Sequence, residues 1–160
     1  MDLSNTQRLS KKVVTVWRIT ALIVVVIISA VLAIGALIII GAGVMSIIFA
    51  LVPVAVLIIL IILFVVIIPA IRYRRFSYII SDDEIVIKYG LIIITHTVVP
   101  MIKIQYTDTT QGPIMRAFSL AAVKVMTAGG TVEIPGLPIN DAENLRDQIT
   151  ELVKTVKENV

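Results

Sequence analysis

Polar and apolar positions divide this 160-residue chain into stretches of different period. From Ile19 to Ile71 there is no Asp, Glu, Lys, Arg or His, and nearly every residue is Ile, Val, Leu or Ala. Such a run has no polar face to offer water. About 20 apolar residues cross a bilayer as a helix, so the stretch predicts two spans, residues 19–40 and 45–69. At 1.5 Å rise per residue each is about 33–37 Å long. Only "GAGV" joins them, and glycine supplies the turn geometry that other residues resist. The expectation is an antiparallel hairpin over 19–71, a tail over 1–18 on the same side, and a domain over 72–160.

After Arg75 the period shortens. "FSYIIS" is a short apolar-aromatic run, "DD" a turn signal, and "EIVIKYG" a second β-rich run. "LIIITHTVVP" predicts a third strand and "MIKIQYTDTT" a fourth, with Ile102 and Ile104 alternating against Lys103 and Gln105. "SLAAVKVMTA" and "TVEIPG" predict strands around a Gly129-Gly130 hairpin turn. The end changes again. Asn140 and Glu143 are spaced as a capping box, and Ala142, Leu145, Ile149, Leu152, Val153 and Val156 recur at helical spacing. Six or seven short strands followed by one amphipathic helix predict a curved antiparallel sheet or sandwich, with the helix over an open edge.

Charge sharpens the membrane reading. The chain is 58% hydrophobic with a net charge of +3, but residues 1–75 hold seven basic side chains against one acid, and residues 76–160 seven against ten. The basic excess therefore belongs to the membrane flanks. A nucleic-acid binder carries its basic patch on the folded domain, so nucleic acid is excluded as a partner. Arg8, Lys11, Lys12 and Arg18 precede the first span, Arg72, Arg74 and Arg75 follow the second, and the turn has none. The positive-inside rule then puts both termini in the cytoplasm. Trp17 and Arg18 at one flank, with Arg72, Tyr73, Arg74, Arg75 and Phe76 at the other, form the expected membrane-interface collar.

Candidate chemistry is sparse. No ionisable residue lies within the spans, so no proton or ion path is expected. Ser29 with Ala33, and Ser46 with Ala50, permit close helix packing, and Pro53 predicts a kink. There is no cysteine. The single histidine, His96, lies between threonines in a strand, and Asp82-Asp83-Glu84 has the composition of a solvated turn. No catalytic, metal or cofactor-binding residue is assigned, and no small-molecule substrate. The segment "TTQGPIMRAF" supports two readings. Gly112-Pro113 turns the chain while Ile114, Met115 and Phe118 plug the end of the fold, or Gln105, Gln111, Gly112, Pro113 and Arg116 form a partner-binding surface.

The segment "IQYTDTTQGPIMRAFSLAAVKVMTAGG", then "IPGL" and a helix opening "DAENLRDQI", resembles the YdbS-like bacterial PH domain family of membrane proteins. The most specific positions are Ile104-Gln105, Gln111-Gly112-Pro113, Arg116, Phe118, Leu120, Gly129 and Gly136. Ser119 departs from the family pattern, which tends to glycine there. The resemblance implies a pleckstrin-homology-like domain: a seven-stranded bent β-sandwich or barrel capped by a C-terminal helix, preceded by two spans. It also implies a non-enzymatic module in cell-envelope maintenance or in stress and antimicrobial resistance. Partners would be the bilayer and other membrane proteins of the same family, or a second copy. The alternative is a module that senses lipid headgroups. Phosphate recognition needs converging Lys and Arg, and the first hairpin turn is acidic instead. A protein-interaction scaffold at the cytoplasmic face is the leading expectation.

Overall fold

A computed structural model describes residues 7–41 and 51–158. The chain divides into two compact units, Trp17–Ala70 and a second that joins Met1–Val16 to Ile71–Val160.

The helical elements are α1 (Lys12–Gly41), α2 (Leu51–Ile61), a π-helical stretch at Ile62–Ile67, and α3 (Ile68–Arg75). Two helical segments, Lys12–Ile38 and Val54–Arg75, are long and apolar enough to cross a membrane. Side chains such as Ile34, Leu37 and Ile38 are largely exposed, an arrangement that suits an apolar medium and not water. In the π stretch the Ile68 N–H donates to the Leu63 carbonyl, five residues back. This departure from α geometry lies well beyond Pro53, whose side chain is outside the described part. Ala42, Gly43 and Val44 of the connecting turn, and the Ser46–Ala50 pair, also lie outside the described residues.

The other unit holds β1 (Ser77–Ile80), β2 (Glu84–Tyr89), β3 (Thr95–Pro100), β4 (Ile104–Thr110), α4 (Pro113–Ala117), β5 (Leu120–Thr127), β6 (Gly130–Pro138) and α5 (Ile139–Glu158). The strands form two antiparallel three-stranded sheets, ordered β1-β2-β3 and β4-β5-β6. Six strands are therefore present among the described residues, where the resemblance implies seven. The central strands are recognisable by continuous burial: Ile85, Val86 and Ile87 in β2, and Leu120 through Val123 in β5. A strand covered on both faces has no polar side to alternate with. On α5 the buried stripe is Ala142, Leu145, Ile149 and Val153. Burying each of its larger side chains stabilises the fold by about 1.5–3 kcal/mol.

Local chemistry shifts several expected boundaries. β3 begins at Thr95, because Tyr89 pairs with Thr95 and leaves Gly90 to Ile94 as a loop. β4 begins at Ile104, because residues 101–103 form a 3-10 turn that buries Met101 and leaves Ile102 exposed. The expected alternation of Ile102 and Ile104 against Lys103 and Gln105 is thereby replaced. Thr127 pairs with Gly130, so the β5–β6 turn is Ala128-Gly129, one residue earlier than expected. Gly130 carries the positive φ of +139° there. α5 starts at Ile139, whose N–H is taken by the Ser119 carbonyl at 3.1 Å, one residue before the expected cap at Asn140.

The largest departure concerns the segment expected as a tail. α1 begins at Lys12, and Leu9, Val13 and Val16 are buried. Gln7 forms an antiparallel bridge to Tyr78, with backbone bonds of 3.0 and 3.3 Å, and Ser10 N–H donates to the Gly136 carbonyl. Residues 7–16 are thus part of the domain.

Candidate functional site

Apolar sequence carries α3 up to a basic last turn of Arg72, Arg74 and Arg75. All three arginines are exposed and Tyr73 is half-buried. Arg75 donates from Nη1 to the Leu91 carbonyl in the β2–β3 loop, so one member of the expected collar ties α3 to that loop. Phe76, expected at the interface, is instead only 5% exposed and belongs to the domain core. Its N–H closes the helix on the Arg72 carbonyl at 3.1 Å. Trp17 is half-buried and Arg18 exposed on α1.

The expected contact residues fall at separate places. Gln105 sits at a register shift between Ile104 and Tyr106, which leaves it unpaired in the ladder. Gln111 lies at the other end of β4, about 20 Å along an extended strand. Its Nε2 donates to the Leu120 carbonyl at 2.9 Å, so this amide fastens the crossover. Gly112 and Pro113 start α4, where the Arg116 N–H reaches the Gly112 carbonyl at 2.9 Å; proline suits the first turn because its missing N–H needs no helical partner. Ile114, Met115 and Phe118 are half-buried, and Arg116 is exposed.

One residue past the Phe118 cap of α4 comes Ser119, with φ of +54°, the positive-φ residue other than glycine among those described. Its N–H donates to the Arg116 carbonyl and its carbonyl accepts from Ile139, both at 3.1 Å. A Cβ in left-handed backbone costs about 1–2 kcal/mol. Ser119→Gly is therefore expected to stabilise the domain by about 1 kcal/mol, seen as a raised thermal midpoint of the detergent-solubilised chain. An unchanged or lowered midpoint would refute that account.

A cleft of about 520 Å³ opens where the 7–10 segment meets β1 and α5, lined among others by Gln7, Arg8, Tyr78, Asp141, Asn144 and Gln148. The Tyr78 hydroxyl donates to Gln7 Oε1 at 2.8 Å. Burial, helped by the negative charge of Asp141, pushes its pKa up to about 12. The phenol thus remains a neutral donor and holds Gln7 of the 7–16 segment, a strap across the domain. A smaller hollow of about 230 Å³ lies by Ser10, Phe118, Ser119 and Asn140. Neither lining includes a histidine or cysteine among the described residues. No group of three or more metal-ligating side chains occurs among the described residues. His96 is exposed on β3 opposite Lys88, and Asp82-Asp83 occupy the exposed β1–β2 turn. That turn also has a structural duty, since the Asp83 carbonyl accepts from Met101 N–H at 2.8 Å.

Sequence reasoning missed two features, the docked 7–16 segment and the exposed apolar loop after β2. Leu9, Val13 and Val16 do stand at helical spacing, a signal overshadowed by the basic residues among them.

Comparison with known proteins gives one family. A profile described as Bacterial PH domain matches residues 12–153. The UPF0699 transmembrane protein YdbS of Bacillus subtilis (strain 168) is 38% identical over 96 residues, 60% of this chain and 60% of the relative. The UPF0699 transmembrane protein YdbT of the same organism is 29% identical over 93 residues, 56% of this chain and 19% of that relative. The match thus spans less than two thirds of either relative's length. No solved structure gives a significant match.

Proposed function

The chain belongs to the bacterial PH domain family, and from that premise we propose that this membrane protein displays its domain as a protein-interaction module. In this reading residues 19–71 form a two-span hairpin, both termini are cytoplasmic, and the domain is a PH-like sandwich. Its partners are membrane proteins of the same family or a second copy, in envelope maintenance or stress resistance. The observation that carries the reading is the stretch running from β3 into β4. Val98, Ile102 and Tyr106 are each about half exposed within nine consecutive residues. Apolar groups concentrated on a surface mark contact sites. A domain tethered at the membrane needs little intrinsic affinity, because anchoring raises the effective concentration of membrane neighbours.

A photoreactive residue in place of Ile102, in the full chain in its native membrane, tests this. The expected result is a crosslink to a second copy or another membrane protein, lost when Tyr106→Asp is added. Adducts to lipid alone would overturn it and favour the alternative, a headgroup-sensing module that uses the arginine collar and adjoining strands.

A further inference from the structure

The β2–β3 hairpin ends in Gly90, Leu91, Ile92, Ile93 and Ile94, five residues without a polar side chain. Tyr89 pairs with Thr95 across its base, so none of the five is held in the sheet. Ile92 is 94% exposed and Ile93 80%. These are among the largest apolar exposures in the unit that contains the domain, on a tip where water gains nothing. The tip is also a defined turn. Gly90 has φ of +137°, and a Cβ there would lie 1.9 Å from the Ile93 carbonyl oxygen. The loop therefore folds back tightly on its first residue and holds the following isoleucines outward.

Two observations identify what covers them. Arg75 donates to the Leu91 carbonyl, and Arg75 is the last residue of the apolar helical segment Val54–Arg75. At 1.5 Å per residue its Cα stands about 6 Å along the helix from Ile71, the last residue of the uncharged run. Arginine at such a helix end snorkels to the headgroup level, which places the Leu91 carbonyl near that depth as well. Behind the tip, the exposed Tyr89 and the facing pair Lys88 and His96 follow in order along the hairpin. Isoleucine, then tyrosine, then lysine is the order of an apolar wedge, an interfacial ring and a basic flank.

We propose that the Gly90 to Ile94 loop inserts into the bilayer, with Ile92 and Ile93 among the acyl chains. It gives the domain a second membrane contact besides its covalent attachment. The inference goes beyond the protein-contact reading, since it requires no partner and holds on either side of the membrane.

The absence of cysteine makes the test direct. Ile92→Cys and, as a control at the exposed β1–β2 turn, Asp83→Cys are labelled with an environment-sensitive fluorophore in the full chain. Each is reconstituted sparsely into phosphatidylethanolamine–phosphatidylglycerol vesicles. At Ile92→Cys the emission shifts to the blue, and lipids spin-labelled on the acyl chain quench it about twofold or more beyond the control. Water-like emission without that quenching would overturn the proposal. So would a blue shift that vanishes on dilution of the protein in lipid, which would show that copies of the chain cover the loop. Should the first label disturb folding, Ile93→Cys gives the same reading.

Discussion

Gly136→Ala is expected to undock residues 7–16 and to destabilise the domain by about 3 kcal/mol. Two causes act together. Gly136 has φ of +68°, so any Cβ sits in strained left-handed backbone. That Cβ would also lie 2.1 Å from Val13 Cγ2 and 2.4 Å from Val13 Cβ. Val13 is fully buried, and a packed interior gives way only at a cost. The second distance decides the rescue experiment. Trimming to Val13→Ala removes the methyl clash but keeps the Cβ contact, so the double variant should recover part of the loss only. The measurements are the thermal midpoint of the detergent-solubilised chain and tryptic cleavage after Arg8, Lys11 or Lys12. Wild-type stability and protection in Gly136→Ala would show that residues 7–16 are not held as described.

Ile149→Ala is expected to cost the domain about 2–5 kcal/mol. Ile149 is wholly buried, at the middle of the stripe that α5 presents between Ala142 and Val153. Around it α5 is fixed by polar bonds, Thr107 Oγ1 to Thr150 Oγ1 at 3.0 Å and Lys157 Nζ to the Ile104 carbonyl at 3.0 Å. With the helix held at Ile139, by its N–H on the Ser119 carbonyl, as well as at Thr150 and Lys157, the cavity cannot close by simple collapse, which places the cost toward the upper half. Glu151→Ala makes a good control. Its ion pair with Lys154 is exposed, and such pairs contribute about 0–1 kcal/mol. A thermal midpoint that moves equally in both variants would sink the assignment of α5 as the domain's main apolar cover.

The sequence reading succeeded where one physical cause acts alone. Fifty or so residues without a charge have few options besides lipid, and the stripe on α5 is a direct image of helical period. It was less successful where one composition suits two fates. "LIIITHTVVP" has the β-branched content of a buried strand, but only Thr95 onward finds a partner, because β2 ends at Tyr89. Of the rest, Ile92 and Ile93 become the most exposed large apolar side chains of the hairpin. Phe76 looks like an interfacial aromatic by its neighbours, yet the chain turns inward directly after Arg75 and buries it. Gln111 has the chemistry of a contact residue and spends it on the Leu120 carbonyl. Ser119 runs the other way: a departure from glycine, visible in sequence, marks the place where the backbone is left-handed.

The strap of residues 7–16 bears on the order of events during synthesis. Gln7 and its partner Tyr78 are 71 positions apart, with the whole apolar region between them. At about 5–20 residues per second, ribosomal output separates the two by roughly 4–14 s. Throughout that interval Leu9 and Val13 have no strand to cover them. The domain is therefore completed by a segment made well before the strands it docks on. A protease that samples this segment during synthesis would find it accessible until the final strands emerge, and closed afterwards.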